Sequence, residues 1–382
     1  MPKNLLVRIT ALRKILGDFF ELALQPTSRE FMQLSYDLGS DACARSALQD
    51  LLLDLPKTDQ SWALAVEKSG AARWKHCLIL CPSSHAIASL YPIAIGLAAG
   101  LELSLKLSRL TRTDGESSFL SSYVFLLKKH PLFSDSLRFI AKDFVIDRKN
   151  FSFDSLLATK SPVDVLLCYG TDQTLENLRS SIHIPLAGFG HGVALSLLRI
   201  RDLQDTQSVC RLLAKDILSL GQNGCLSTRL LVMEDPGESV LRSFLKKLDQ
   251  ACYEFWGKDL DLLSRLSLEQ DEVLYQDQWG SQVSFAESEF MFFPVFRRET
   301  LSELTRCLST QRFVLPLVLY KNWRTVWTDL LFFPSLLRVS AGLGVDTELP
   351  PDDLIPKLVP LGQGNLLSWD GTHEGKPLFK GK

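Results

Sequence analysis

HCLILCPSSHAIASLYPIAIGLAAGLELSLKL, residues 76–107, sets the architecture of this chain. It opens with the apolar run Cys77-Leu78-Ile79-Leu80-Cys81, and Pro82 stops it, as expected of a short strand. Residues 86–99 are apolar on every side. A bilayer span needs about 20 residues, so this shorter stretch reads as a buried helix, closed by Gly100. Residues 102–107 then alternate apolar and polar side chains, the signature of a second strand.

The same rhythm continues outward from that stretch. A helix is expected over 116–129, a strand at 143–146, and an apolar strand at 163–168, followed by Gly170 and a helix over 172–180. Strand, helix and strand at this spacing imply parallel strands joined by right-handed crossovers. Ligands on such sheets lie at the carboxyl ends of the strands. After residue 188 the pattern restarts. Residues 193–198 read as a strand, 205–218 as a helix, 226–233 as the exit of a loop into a strand, and 239–256 as a long amphipathic helix. Further on, 301–308 reads as a helix and 313–319 as a strand, whereas the polar stretch 258–290 shows no clear period. From 346 onward Pro350, Pro351, Pro356, Pro360 and Gly362 point to extended chain.

Composition narrows the class. The 382 residues are 46% hydrophobic and 23% charged, with a formal charge of −2, which is typical of a globular protein and offers nothing to a polyanionic partner. Eight cysteines contain no CxxC pair, and six scattered histidines contain no HxxxH, so no metal site is expected. Most of the cysteines read as small buried hydrophobes in a reducing compartment. Lys3, Arg8, Arg13 and Lys14 make the first 24 residues amphipathic rather than signal-like, and a cytoplasmic location is expected.

The most informative local feature is GQNGCLST, residues 221–228. Cys225 lies between small or polar turn formers and the apolar run Leu230-Leu231-Val232-Met233, in a loop from helix to strand. Backbone amides can face a thiol there. Thiolate is the one strong side-chain nucleophile available near neutral pH without a strong base, and it exchanges acyl groups with thioesters at little energetic cost. Taken alone, the residue reads better as a core thiol near a turn.

Six segments in order resemble the acyl-CoA reductases of the bioluminescence fatty-acid-reductase type, a branch of the aldehyde dehydrogenase superfamily. They are PSSH (82–85), GLELSLKLSR (100–109), VDVLLCYGT (163–171), GFGHG (188–192), GQNGCLST (221–228) and LGQGNLLSWDG (361–371). The resemblance implies an aldehyde-dehydrogenase-like α/β fold of two three-layer domains with mostly parallel sheets. The expected division is a nucleotide-binding domain over 1–188, with 1–70 a helical part matched only loosely, then a catalytic cysteine domain over 189–345 and an extended segment over 346–382. The active site is expected in the cleft between the two domains.

The chemistry it implies is attack of Cys225 on a fatty acyl-CoA, departure of CoA, and reduction of the acyl-enzyme to a fatty aldehyde by NADPH. A superfamily lysine at the position of Lys106 contacts the adenosine ribose. Ser108 and Arg109 follow where an acidic residue is usual, and serine with arginine suits a 2′-phosphate that a carboxylate would repel. Arg112 lies just beyond, and the alternative for this group is a solvated basic face. Gly170 and Thr171 are assigned to the cofactor. Glu289 precedes the Phe290–Pro294 run, one residue from the spacing of the glutamate that contacts the nicotinamide-side ribose.

GFGHG is a poor dinucleotide fingerprint, because a third glycine and a downstream acid are both missing. Phe189 fills the slot where hydrolytic relatives place a water-activating glutamate. His191 is a candidate acid or base for CoA departure, or else hydrogen-bonds a neighbouring loop. Ser84 stands where those relatives have the oxyanion-binding asparagine, and it is the candidate second donor. Expected partners are a fatty acyl-CoA or acyl-protein donor, with a homo-oligomer or an acyl-transferring enzyme as further possibilities, and no nucleic acid or membrane span. Two other readings stay open at this point: a glutamyl-phosphate-reductase-like enzyme on the same fold, and a catalytically degenerate scaffold.

Overall fold

The computed structural model describes residues 3–82, 87–106, 119–140, 163–190, 192–222, 224–279, 283–286, 288–297, 312–321, 324–333, 336–342, 351–365, 369–370, 372–373 and 376–380. They gather into two compact units. Unit 1 draws on Met1–Asp37, Leu48–His191 and Leu367–Lys382, and unit 2 on Leu38–Ala47 and Gly192–Leu366.

The first seventy residues are helical: α1 (Lys3–Ala23), α2 (Arg29–Leu38), α3 (Asp41–Asp54) and α4 (Asp59–Ser69). Thr58 caps α4 by accepting the Ser61 amide, and Gly70 ends it in a left-handed conformation. Strand β1 (His76–Leu80) follows, then helix α5 (Ile87–Ala99), β2 (Glu102–Lys106), α6 (Phe119–Lys129), β3 (Leu137–Phe139), β4 (Val165–Tyr169), α7 (Asp172–Ser181) and β5 (Leu186–Phe189). All five strands are parallel, in the order β3-β2-β1-β4-β5. The order reverses between β1 and β4, and that crest is where an open parallel sheet receives a ligand. Helix α7 covers one face through Leu175 and Leu178, packed with Leu78, Leu166 and Leu186. Helix α5 covers the other and is buried on nearly every side, as its all-apolar sequence requires. A Cβ on Gly96 would come within 3.0 Å of the Leu103 side chain, so this glycine lets α5 lie close on β2.

Unit 2 holds a seven-stranded sheet. Its elements in chain order are β6 (Val193–Leu198), α8 (Thr206–Leu218), β7 (Thr228–Glu234), α9 (Glu238–Trp256), α10 (Leu262–Trp279), β8 (Val283–Phe285), β9 (Pro294–Arg297), β10 (Leu317–Tyr320), α11 (Arg324–Leu331), β11 (Leu336–Ala341) and β12 (Leu358–Pro360). The strands run in the order β12-β11-β6-β7-β10-β9-β8, parallel except for β8. Helices α10 and α11 cover one face, with Tyr275, Val326 and Leu330 on Leu195, Leu230, Val232 and Val318. Helices α8 and α9 lie on the opposite face. A small antiparallel ladder, β13 (Thr372–His373) with β14 (Lys376–Pro377), completes the described chain in unit 1.

The mixed α/β architecture with mostly parallel sheets is the expected one. Element ends shift by a few residues. The strand expected at 143–146 and the helix at 301–308 lie outside the described residues. The polar stretch 258–290 contains α10, whose apolar side chains point in several directions: Leu266, Val273 and Leu274 are exposed while Tyr275 is buried. Its periodicity is correspondingly weak.

One buried carboxylate organises the approach to β9. Asp249 on α9 accepts the consecutive backbone amides of Glu289, Phe290 and Met291, with distances of 2.6–3.3 Å. Burial pushes its pKa up, and the three amides pull it back. Asp249→Ala leaves three donors without their acceptor, and an urea titration is expected to show a loss of about 2–4 kcal/mol.

Candidate active site

The thiol loop is built at the carboxyl end of α8. Asp205 caps the other end of that helix by accepting the Ser208 amide at 3.1 Å. After Leu218 the chain turns through two successive left-handed residues, Gly221 at φ 60° and Gln222 at φ 56°. A side chain on Gly221 would run into the Leu38 carbonyl oxygen, so glycine is obligatory there. Residues 38–47 form a strap behind the turn: Cys43 Sγ donates to the Leu218 carbonyl at 3.0 Å, and the Ser46 and Ser219 hydroxyls are 3.2 Å apart.

Gln222 carries a left-handed backbone that is uncommon for a side-chain-bearing residue, and its buried amide is tied at both ends. Its Nε2 donates to the Val314 carbonyl at 2.9 Å, and its Oε1 accepts the Phe313 amide. Phe313 is itself left-handed, at φ 64°. The clamp thus joins two strained positions and anchors the loop to the start of β10. Downstream, the Ser227 amide donates to the Gly224 carbonyl at 3.1 Å, and β7 begins at the next residue. The loop therefore stands at the amino end of β7. The sequence led to an expected site at the carboxyl ends of the strands; in unit 2 the thiol is at the opposite edge.

Seven cysteines fall within the described residues, and six are buried; Cys225 alone is partly exposed. Burial raises the thiols of Cys43, Cys168 and Cys210 to about 12 and of Cys81 to about 11, and pushes Cys77 and Cys252 up as well. A guanidinium lies just inside the loop exit. Burial, together with nearby Arg312, lowers Arg229 to about 10, which leaves it charged at neutral pH.

The segment after β12 returns along α8. Asp216, 1% exposed, accepts the Gly362 amide at 2.8 Å and the Gly364 amide at 2.6 Å. Asn365 Nδ2 donates to the Asp216 carbonyl at 2.7 Å, and its Oδ1 accepts the Ser227 hydroxyl at 3.2 Å. Part of the GQGN sequence is thereby bound to the thiol loop. Sequence reasoning missed Gln222, Asp216 and Asn365 as site-building residues, because their partners are 91 to 149 positions away.

The cofactor-side residues fall on the crest of unit 1. Lys106 is the last residue of β2, and its carbonyl accepts the Cys81 amide at 2.9 Å. Gly170 follows β4, and its amide donates to the Phe189 carbonyl at 3.1 Å. Thr171 caps α7 by accepting the Thr174 amide at 3.0 Å. These residues flank the point where the strand order reverses, between β1 and β4. Ser84, Ser108, Arg109, Arg112 and His191 lie outside the described residues. Glu289 lies in unit 2, where it lines a groove between α8 and α9 with Lys246, Lys247 and Asp249. Cys225 is not part of that lining.

Phe189 ends β5 buried. It stacks on Tyr169 with ring centroids 5.3 Å apart and meets the His373 ring edge-on at 4.6 Å, while Tyr169 meets His373 at 5.2 Å. Three aromatic rings thus occupy the end of β4 and β5. The glycines around Phe189 serve packing: a Cβ on Gly188 would press on Leu175, and one on Gly190 would strike Asp172. Among the described residues no group of three or more His, Cys, Asp or Glu side chains is placed to hold a metal ion, and no helix is long and apolar enough to cross a membrane.

Residues 150–255, from the approach to β4 into α9 and including the Cys225 loop, match the family model of acyl-CoA reductase (LuxC). The chain carries a LuxC-like segment on an aldehyde dehydrogenase fold. Among solved structures, it superposes on a putative aldehyde dehydrogenase from Burkholderia cenocepacia with a TM-score of 0.58 at 12% identity, covering 94% of this chain and 76% of that one. Lactaldehyde dehydrogenase from Escherichia coli gives 0.57 at 13% identity, covering 88% and 74%. A proline utilization A variant from Bradyrhizobium japonicum gives 0.61 at 14% identity, covering 100% of this chain and 40% of that one. No curated protein sequence matches the chain. The LuxC-like segment supports an oxidoreductase acting on acyl groups, and the solved structures show the shared fold.

Two outcomes test this site. Alkylation near neutral pH is expected to label Cys225 well before the six buried thiols, as read by peptide mass mapping. The second concerns Asp216, whose pKa burial raises from 3.8 to about 6, against the opposing pull of Gly362, Gly364, Ser340 and Lys215. The folded chain holds that proton more tightly than the unfolded chain. Its contribution to stability is therefore complete below about pH 4 and vanishes as pH rises through about 6. Between those limits the stability of wild type relative to Asp216→Asn is expected to fall by about 2–3 kcal/mol, compared by urea titration.

Proposed function

We propose that this protein reduces a fatty acyl-CoA thioester to a fatty aldehyde with NADPH, through an acyl-enzyme on Cys225. The observation that carries the reading is the one partly exposed thiol among the described residues, on a loop clamped from both sides, inside the segment similar to acyl-CoA reductase.

The chemistry follows from the groups present. Cys225 thiolate adds to the thioester carbonyl. The new carbon–sulfur bond forms as the bond to CoA breaks, and the CoA thiolate leaves to be protonated. The carbonyl oxygen carries negative charge as this happens. The Cys225 amide makes no hydrogen bond to another described backbone group, which leaves it available as an oxyanion donor. A preorganised donor of this kind is worth about 3–4 kcal/mol of transition-state stabilisation. Ser84 is the proposed second donor, and His191 the proposed acid for the departing CoA.

An acyl-cysteine is still a thioester and still electrophilic. A reduced nicotinamide dinucleotide held by residues at the crest of unit 1 would supply the hydride. The Cys225 carbon–sulfur bond then breaks, aldehyde leaves, and the thiolate is regenerated. Lys106 is assigned to the adenosine ribose, Ser108 and Arg109 to the 2′-phosphate that distinguishes NADPH, and Gly170 and Thr171 to the remainder of the dinucleotide. Glu289 was expected at the nicotinamide-side ribose; its groove with Lys246 and Asp249 gives that role no geometric support. With aromatic rings at the end of β5 in place of a carboxylate, Phe189 has no group with which to activate water. A reductase has no use for such a group, because hydrolysis would waste the acyl-enzyme.

Intact mass after exposure to a long-chain acyl-CoA without reductant tests the reading. Wild type is expected to gain one acyl group, Cys225→Ala none, and NADPH to remove the adduct with release of aldehyde. Aldehyde formation by Cys225→Ala at the normal rate would rule the mechanism out.

A further inference from the structure

Unit 2 carries a buried polar network that the reaction just described does not use. It starts at Asp216, the most enclosed carboxylate of the described chain. One arm is the return segment: the Asp216 carboxylate accepts the Gly362 and Gly364 amides, the next residue Asn365 donates to the Asp216 main-chain carbonyl, and its Oδ1 accepts the Ser227 hydroxyl. The other crosses the sheet. Ser340 on β11 hydrogen-bonds the Asp216 carboxylate. The Ser340 hydroxyl lies 2.7 Å from that of Ser196 on β6, and Ser196 lies 2.8 Å from the Thr228 hydroxyl on β7. Both arms end on adjacent residues at the exit of the thiol loop, two and three positions after Cys225.

The hydroxyl chain has a direction. An ionised Asp216 only accepts, so the Ser340 proton points to it. Ser340 must then accept from Ser196, and Ser196 from Thr228. Each hydroxyl has one proton, so orienting the first orients the rest. On the other arm, the Asn365 amide group donates to the Asp216 carbonyl, so its oxygen is the end that faces Ser227. Ser196, Ser340, Thr228 and Ser227 are each at most 1% exposed, so bulk water does not compete for these bonds. A turn whose exit is fixed at two consecutive residues has little freedom to rotate the peptide planes preceding it, and those planes include the Cys225 amide.

We propose that Asp216 is a positioning residue for the Cys225 thiol, acting through Asn365 on Ser227 and through Ser340 and Ser196 on Thr228. It does not touch the reacting atoms. Its effect is to hold the sulfur and the Cys225 amide in the geometry for attack. The inference rests on Cys225 being the nucleophile.

The test uses the full chain with Ser196→Ala, Ser227→Ala, Asn365→Ala and the Ser196→Ala/Asn365→Ala pair. Three quantities are followed: single-turnover acylation by a long-chain acyl-CoA, its half-saturating concentration, and the rate of Cys225 alkylation by iodoacetamide. Misplacement of a reacting group by about 1 Å can cost up to about 100-fold. Each single variant is therefore expected to slow acylation and alkylation together by about 3- to 10-fold, with half-saturation unchanged. The pair is expected to be non-additive, since both arms end on one turn. Ser227→Thr, which restores the hydroxyl, is expected to recover most of the rate.

Variants that unfold more easily yet acylate and alkylate within about twofold of wild type would overturn the proposal and leave the network purely architectural. So would a change in half-saturation alone. If wild type takes no acyl group from any acyl-CoA, the proposed function fails, while the alkylation rates still decide the positioning role.

Discussion

Two consecutive left-handed residues, Gly221 and Gln222, are the constraint on which unit 2 depends. A left-handed conformation costs roughly 1–2 kcal/mol for a residue with a side chain. The fold offsets this at Gln222 with two hydrogen bonds from a buried amide, each worth about 0.5–1.5 kcal/mol net. The turn allows α8 to end under the sheet edge and the chain to re-enter as β7 within ten residues of Leu218. It also requires three distant pieces to be in place: the strap at 38–47, the Phe313-Val314 entrance to β10, and the return segment 361–365. Local strain is thus converted into long-range order around one sulfur atom.

Much of the fold was legible because parallel sheets write themselves plainly. The apolar run at 77–81, the all-apolar helix at 87–99 and the apolar β4 are buried on both faces, so they need no alternation and few polar residues. The thiol loop was legible for a related reason, as small and polar residues between a helix and an apolar strand leave few conformations. What escaped were the polar ties. Asp216 sits among ordinary helix residues, and only the fold shows that Gly362 and Gly364 reach it. Asn365 looks like one more turn residue in a glycine-rich stretch. The glycines of GFGHG, a poor dinucleotide fingerprint, serve packing instead: Gly188 and Gly190 let α7 lie close. Helix α10 went unread because apolar residues on its exposed side blur the period.

The two units divide the chemistry by element. In unit 1 the crest between β1 and β4 presents backbone and Lys106, with Phe189, Tyr169 and His373 forming an aromatic end to the neighbouring strands. The stacked rings bring no charge that would hold water, and they stiffen the strand end through contacts that bulk solvent does not weaken. In unit 2 the polar groups are numerous but turned inward, as hydroxyls and amides bound to one another. The loop they support offers solvent a sulfur and little else.

Neither unit is continuous in sequence, and that governs the order in which the chain can mature during synthesis. The strap 38–47 is made early, yet the turn it supports arrives some 175 residues later, as the Cys43–Leu218 bond shows. Trp74 must wait longer, since its indole donates to the carbonyl of Phe379, 305 positions on. A ribosome-bound chain therefore holds both units open at once, each missing a piece that has not yet been made or has nothing to bind. Contacts of such sequence separation form slowly. During that interval the Cys225 loop has no clamp, and its sulfur is as mobile as that of any unfolded cysteine until the last strands close.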